Sequence, residues 1–141
     1  MTIQIGTNGL SIGVNPTVGR LNRLLKRDCV TSMSVTYTTT DPSNVYQQWN
    51  LYDNGQLQNV GNTNSYIVQG PQVGSGEYSL QTGNSDCGGS WSIAGSQIGN
   101  TQTGGIIGVV GGSAVIGTAG STGFTALGFV LAGSVSYKCC L

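Results

Sequence analysis

The side chains in this sequence that could carry chemistry are few, and their types narrow the field before any fold is considered. Histidine is absent, which removes the commonest general base near neutral pH and the commonest metal ligand. Ser-His-Asp and Cys-His nucleophilic catalysis are therefore excluded. The carboxylates Asp28, Asp41, Asp53, Glu77 and Asp86 are scattered, each beside a turn or a strand end. Hydrolysis by a carboxylate pair would need the fold to bring two of them together by accident, and turn chemistry accounts for Asp41 and Asp53 without it. The four cysteines, Cys29, Cys87, Cys139 and Cys140, lack the paired C-x-x-C spacing of a zinc site. In an oxidising compartment Cys139 and Cys140 reach Cys29 and Cys87 more comfortably than each other, because a bridge between adjacent residues is strained. Cross-links between subunits, or four free thiols with packing roles, stand beside that pairing. The tail Lys138-Cys139-Cys140-Leu141 does not place a cysteine fourth from the end, so it is not a lipid-anchor signal. No catalytic residue, metal or cofactor is expected.

What remains is binding chemistry. Arg20, Arg23, Lys26 and Arg27 hold four of the five basic residues and could touch phosphates, facing nucleic acid in a virion shell. The net charge is zero and no aromatic residues interleave, so a solvated helix face is the better reading of this cluster. Tyr46, Tyr52 and Trp91, with nearby Asn and Gln, could stack on sugars if exposed.

These residues sit in a chain of unusual texture. Charged side chains make up 7% of 141 residues, against roughly 25% in soluble proteins, and Gly, Ser, Thr, Asn and Gln take their place. Hydrophobic content of 38% with no net charge argues against disorder, which needs low hydrophobicity and high charge. Weak self-repulsion suits a protein that assembles or works outside a cell. The start, Met1-Thr2-Ile3-Gln4-Ile5-Gly6, has no basic run and no apolar stretch of secretory length, so no signal peptide is expected.

The positioning elements read as strands. Residues 1–28 form an N-terminal arm or two-stranded start, with Ile3, Ile5, Leu10, Ile12 and Val14 split by Thr7-Asn8-Gly9, followed by one short basic helix near residues 20–27. From Cys29 onward Met33, Val35 and Tyr37 alternate with Ser and Thr, as a half-buried strand requires. Asp41-Pro42-Ser43-Asn44 is a turn, Val45–Asp53 a strand with Val45, Trp49 and Leu51 inward, and Asp53-Asn54-Gly55 a tight hairpin returning through Gln56–Val60. Ser65–Gln69, Glu77–Thr82 and Ser90–Ala94 are further strands. This spacing predicts an all-β, antiparallel fold over residues 29–141, a sandwich, jelly-roll-like among the choices, or a barrel.

Cys29, then Trp49 in a strand ending at a turn, then Gly74-Ser75-Gly76-Glu77-Tyr78-Ser79-Leu80, resembles the immunoglobulin-like sandwich over residues 29–94. The resemblance implies a core tryptophan and a tyrosine corner at Tyr78. Leu80 stands where that family has its second cysteine, so the core disulfide is not implied.

Residues 87–137 carry no charge. Gly104, Gly108 and Gly112 fall at the four-residue spacing that lets membrane helices approach, and the surrounding Ile, Val, Ala and Phe, with Phe124 and Phe129, are long enough to span a bilayer. Buried strands are the preferred reading, since Val, Ile, Thr and Phe favour strands and Gly disfavours helix. Strands apolar on both faces need cover on both, which one small domain supplies poorly, so neighbouring copies are expected to complete the core. The leading expectation is thus a non-enzymatic structural or adhesive subunit that self-assembles into a particle or filament, such as a virion shell, decoration or tail component, in a virion or extracellular setting. The alternatives are a membrane-active pore-forming toxin using residues 104–133, and a carbohydrate-binding, lectin-like module.

Overall fold

A computed structural model describes residues 1–7, 9–15, 35–84 and 90–132 of the chain. The expected helix near residues 20–27, with Arg20, Arg23, Lys26 and Arg27, lies outside the described residues, as do Cys29, Cys87, Cys139 and Cys140.

The all-β expectation holds. The strands are β1 (Thr2–Thr7), β2 (Leu10–Gly13), β3 (Thr36–Thr39), β4 (Trp49–Leu51), β5 (Leu57–Asn59), β6 (Tyr66–Gly74), β7 (Glu77–Gly83), β8 (Trp91–Ala94), β9 (Gln97–Asn100), β10 (Ile106–Val110), β11 (Ser113–Gly117), β12 (Thr125–Ala126) and β13 (Gly128–Leu131). Every pairing among them is antiparallel. Alternation sends one face of each inward, so Ile3, Ile5 and Ile12 are fully buried. The first two strands are built into the sheet, with β1 pairing β2, β4 and β13.

Instead of two stacked sheets, the pairing joins all thirteen strands into one sheet, and its registers repeat three times. Leu57, Ile98 and Ile5 start three equivalent steps, paired with Leu51, Ile93 and Phe129. One step further in the same registers Gln58 faces Asn50, Gly99 faces Ser92, and Gly6 faces Gly128. Ile67, Ile107 and Ile12, all fully buried, pair with Thr82, Ile116 and Tyr37 in the hairpins β6–β7, β10–β11 and β2–β3. The repeats are therefore β1–β4, β5–β8 and β9–β13, and β13 closes onto β1.

Two tryptophans lock this arrangement. The indole N–H of Trp49 donates to the Ile12 carbonyl at 3.2 Å, and that of Trp91 to the Ile67 carbonyl at 3.0 Å. In the third repeat the backbone N–H of Leu127 donates to the Ile107 carbonyl at 3.0 Å, and Leu127 is fully buried. Each repeat thus satisfies the same carbonyl, twice with an indole and once with the main chain.

Several sequence expectations are corrected. The immunoglobulin-like resemblance is not carried by the contacts: Trp49 bonds Ile12, outside residues 29–94, and Tyr78 is a half-buried β7 residue paired with Ile116 and packed against the core. Val45–Gln47 is a turn of 3-10 helix capped by the Asn44 side chain, and it buries Gln47 and exposes Val45. The hairpin after β4 is wider than two residues: Tyr52 N–H donates to the Gln56 carbonyl, and Gly55, at φ 87°, takes the left-handed position that glycine tolerates.

Within the uncharged C-terminal half the described residues 90–132 are strands and turns, as preferred, and the helical spacing of Gly104, Gly108 and Gly112 is coincidental. Gly104 and Gly112 sit in turns at φ 78° and 83°, while Gly108 lies in β10 beneath the ring of buried Phe124. Among the described residues no helix is long and apolar enough to cross a membrane. Ile107, Ile116 and Leu127 are buried at 0%, 1% and 0% exposure within one chain, whereas Val130 and Leu131 of the same segment stay exposed. A Cβ at Gly108 would press on the Phe124 ring and lie 2.5 Å from the Thr125 carbonyl oxygen. Gly108→Ala is expected to cost about 1–3 kcal/mol by overpacking, measured as a lowered urea midpoint; an unchanged midpoint would show that Phe124 moves aside freely.

Candidate ligand-binding surface

Of the aromatic residues marked for sugar stacking, the fold leaves one free. Trp91 is 3% exposed, and its indole is committed to the Ile67 carbonyl. Tyr46 is half-buried, packed against the core, with Gly61 beneath its ring. Tyr52 is 44% exposed because it lies just past β4, where the strand leaves the core and enters the hairpin loop.

Around Tyr52 the sheet builds a polar network. Its hydroxyl donates to Gln58 Oε1, and Gln58 Nε2 donates to the Tyr66 hydroxyl at 3.0 Å and the Thr63 carbonyl at 2.9 Å. Gln58 and Tyr66 are register partners across β5 and β6, and Gln58 and Asn50 across β4 and β5. Asn50 Oδ1 accepts from the Thr2 hydroxyl. The loop adds exposed Asp53 and Asn54, and Asn54 Oδ1 accepts from the Gln56 backbone N–H at 3.0 Å. Gln58 thereby uses its carbonyl once and its amide twice, holding two tyrosine hydroxyls in place. The result is a half-exposed aromatic ring flanked by fixed hydroxyl and amide groups.

The symmetry-related position at the β13–β1–β2 junction looks different. Gly6 faces Gly128 there, so the outer face has no side chain for one step. A hollow of about 420 Å³ results, lined by Gln4, Gly6, Leu10, Ser11, Gly128 and Val130 among others. Gln4 Nε2 is held by the Asp41 carbonyl at 3.0 Å, and the Ser11 and Thr40 hydroxyls meet at 2.6 Å.

Among the described residues the remaining candidates do not converge. Phe124 packs on Gly108 and Gly117, and Phe129 is half-buried against the core. The Asp41 carboxylate accepts from the Ser43 hydroxyl at 2.8 Å and the Ser43 backbone N–H at 3.0 Å, and these bonds lower its carboxyl below the ordinary 3.8. Its contribution is present above the unfolded carboxylate range and is lost as pH falls through the lowered value. Among the described residues no three His, Cys, Asp or Glu side chains gather in a metal-holding group.

Reading single strands missed Gln58 and Tyr66 as functional candidates, yet a signal was present. Gln4-Ile5-Gly6-Thr7, Gln56-Leu57-Gln58-Asn59 and Gln97-Ile98-Gly99-Asn100 are three copies of one short pattern, two of them trailing a tryptophan by six or seven positions. Search for internal repeats exposes it.

No protein-family model matches the chain, and no curated protein matches it. Among solved structures it is similar to the Vibrio vulnificus hemolysin/cytolysin β-trefoil lectin with N-acetyl-D-lactosamine bound, at 13% identity and a TM-score of 0.65, over 93% of this chain and 94% of that one. A likeness at this identity speaks to architecture. The chain shares the β-trefoil fold, and the threefold registers are what that fold requires.

Proposed function

We propose that the chain is a carbohydrate-binding, lectin-like module that works outside a cell by binding rather than by catalysis. The observation that carries this reading is the Tyr52 ring, exposed beside a network in which Gln58 fixes both the Tyr52 and Tyr66 hydroxyls. Sugars present an apolar C–H face and a rim of hydroxyls, and this surface supplies the matching pair: a ring to stack on, and oriented donors and acceptors beside it. Asp53 and Asn54, exposed on the same loop, add acceptors and donors for further hydroxyls. The absence of histidine and the placement of Asp41, Asp53 and Glu77 on separate turns or strand ends among the described residues favour recognition over hydrolysis. The shared fold with a lectin that holds N-acetyl-D-lactosamine makes that disaccharide the first ligand to try.

Binding to a glycan array, followed by titration calorimetry of the strongest glycans, tests the reading. Tyr52→Ala is expected to weaken binding at least about tenfold, the equivalent of roughly 1.4 kcal/mol, with little change in stability because the ring is largely outside the core. Absence of binding above background across the array would overturn the proposal.

A further inference from the structure

Resting on the carbohydrate reading, we infer that only one of the three symmetry-related positions is a sugar site, and that Gln58 is the residue that positions it. The registers place Tyr52, Gln58 and Tyr66 in line with Ala94, Gly99 and Ile106 at the β8–β9–β10 junction, and with Val130, Gly6 and Ser11 at the β13–β1–β2 junction. The other two positions therefore have no aromatic side chain at either tyrosine place. They also have glycine where Gln58 stands, so no amide at that step orients a neighbour, and at the β13–β1–β2 junction the nearby Gln4 amide is held by the Asp41 carbonyl. The short pattern that recurs three times departs from glycine only here: Gln-Ile-Gly-Thr and Gln-Ile-Gly-Asn elsewhere, Gln-Leu-Gln-Asn at residues 56–59.

Structure does not demand that departure. The scaffold closes with glycine at both equivalent steps, so the Gln58 side chain is not needed to form the ribbon. What it does is commit both amide hydrogens and one bond to its carbonyl to Tyr52, Tyr66 and the Thr63 carbonyl. A tyrosine whose hydroxyl is already tethered loses less rotamer freedom when a sugar stacks on it, and preorganisation of this kind strengthens binding. Among the described residues the three positions then supply one sugar site, and they do not cross-link two glycans.

Calorimetric titration with N-acetyl-D-lactosamine, alongside galactose, N-acetylglucosamine and mannose, reads both parts. The expected stoichiometry is one sugar per chain. Gln58→Gly, which makes this position match the other two, is expected to weaken binding about tenfold, with a thermal midpoint close to that of the parent. Tyr52→Phe, which keeps the ring and removes the tether from its other end, is expected to weaken binding similarly. The double variant should be no weaker than Gln58→Gly, because the one bond that Tyr52→Phe removes, to Gln58, is already lost in Gln58→Gly; a general structural effect would add. Two or three sugars per chain, or affinity unchanged in both single variants, would overturn this inference while leaving the carbohydrate reading standing. No heat and no saturation with any of the sugars, together with an empty array, would remove both. Should Gln58→Gly fail to fold, Tyr52→Phe and the stoichiometry still decide.

Discussion

Trp49→Ala is expected to destabilise the chain by about 3–5 kcal/mol, lowering the thermal midpoint by roughly 10–20 °C for a domain of this size. Trp49 is fully buried and joins three parts of the fold: it pairs with Ile3 of β1 and Asn59 of β5, and its indole N–H satisfies the Ile12 carbonyl of β2 at 3.2 Å. Truncation removes the largest side chain of the core and leaves that carbonyl without its indole donor. Trp49→Phe separates the two losses, since it keeps most of the apolar volume and deletes only the donor; about 1–3 kcal/mol is expected from it. Differential scanning calorimetry provides the measurement. If Trp49→Ala shifts the midpoint by no more than a surface substitution does, the residue is not the clasp described here. The resulting variant should also leave the stoichiometry of sugar binding unchanged under conditions where it remains folded, because Trp49 and Tyr52 do different work three residues apart.

The second large effect is expected at Asn59. Its side chain is fully buried, donates to the Tyr46 carbonyl at 3.0 Å, and accepts from the backbone N–H groups of Gly61 and Asn62 at 3.1 and 3.0 Å. One amide therefore ties β5 to the turn at Val45–Gln47 and caps the loop that follows. Asn59→Ala is expected to cost about 2–3 kcal/mol, chiefly from desolvated groups left unpaired. Asn100 occupies the equivalent step of β9 and accepts from the N–H groups of Gln102 and Thr103 at 2.9 and 3.1 Å. Its loop is exposed at residues 101–104, so water can replace the lost partner, and Asn100→Ala should cost only about 1 kcal/mol. Urea unfolding of the two variants checks the order. A larger loss at Asn100 would contradict the burial argument.

Much of the fold was legible in the chain. Period-two alternation marks Ile3 and Ile5, Val35 and Tyr37, and Glu77–Thr82, and Gly-rich or Asx-rich breaks separate them, so strand and turn placement follows from local geometry. The preference for strand over membrane helix in residues 104–133 was also local, resting on β-branched residues and on the cost of glycine in a helix. Sheet architecture was less accessible. Short antiparallel strands at regular spacing serve a sandwich and a trefoil equally well, and the tryptophan and tyrosine that resembled an immunoglobulin-like core have other partners here. The three copies of the Gln-(Ile/Leu)-x-(Thr/Asn) pattern held the missing information, diluted because the first and second copies are separated by a longer interval than the second and third.

The candidate surface shows the same division at the level of single residues. Tyr46, Tyr52 and Trp91 are equivalent to any local reading, each an aromatic side chain near Asn and Gln. Composition and alternation alone determined that the chain is β-rich, poor in charge, without histidine chemistry, and provided with aromatic and amide groups suited to binding. Only the tertiary structure decided that Trp91 turns inward to an Ile67 carbonyl twenty-four positions away, that Tyr46 packs over Gly61, and that Tyr52 stays in solvent under the hold of Gln58. Likewise only the closure of β13 onto β1, across more than a hundred residues, and the pairing of β10 with β11 and β12 reveal that Ile107, Ile116 and Leu127 are covered within one chain. The physical reason is that strand character depends on neighbours in the chain, whereas burial depends on which distant strand supplies the hydrogen bonds and the opposing side chains.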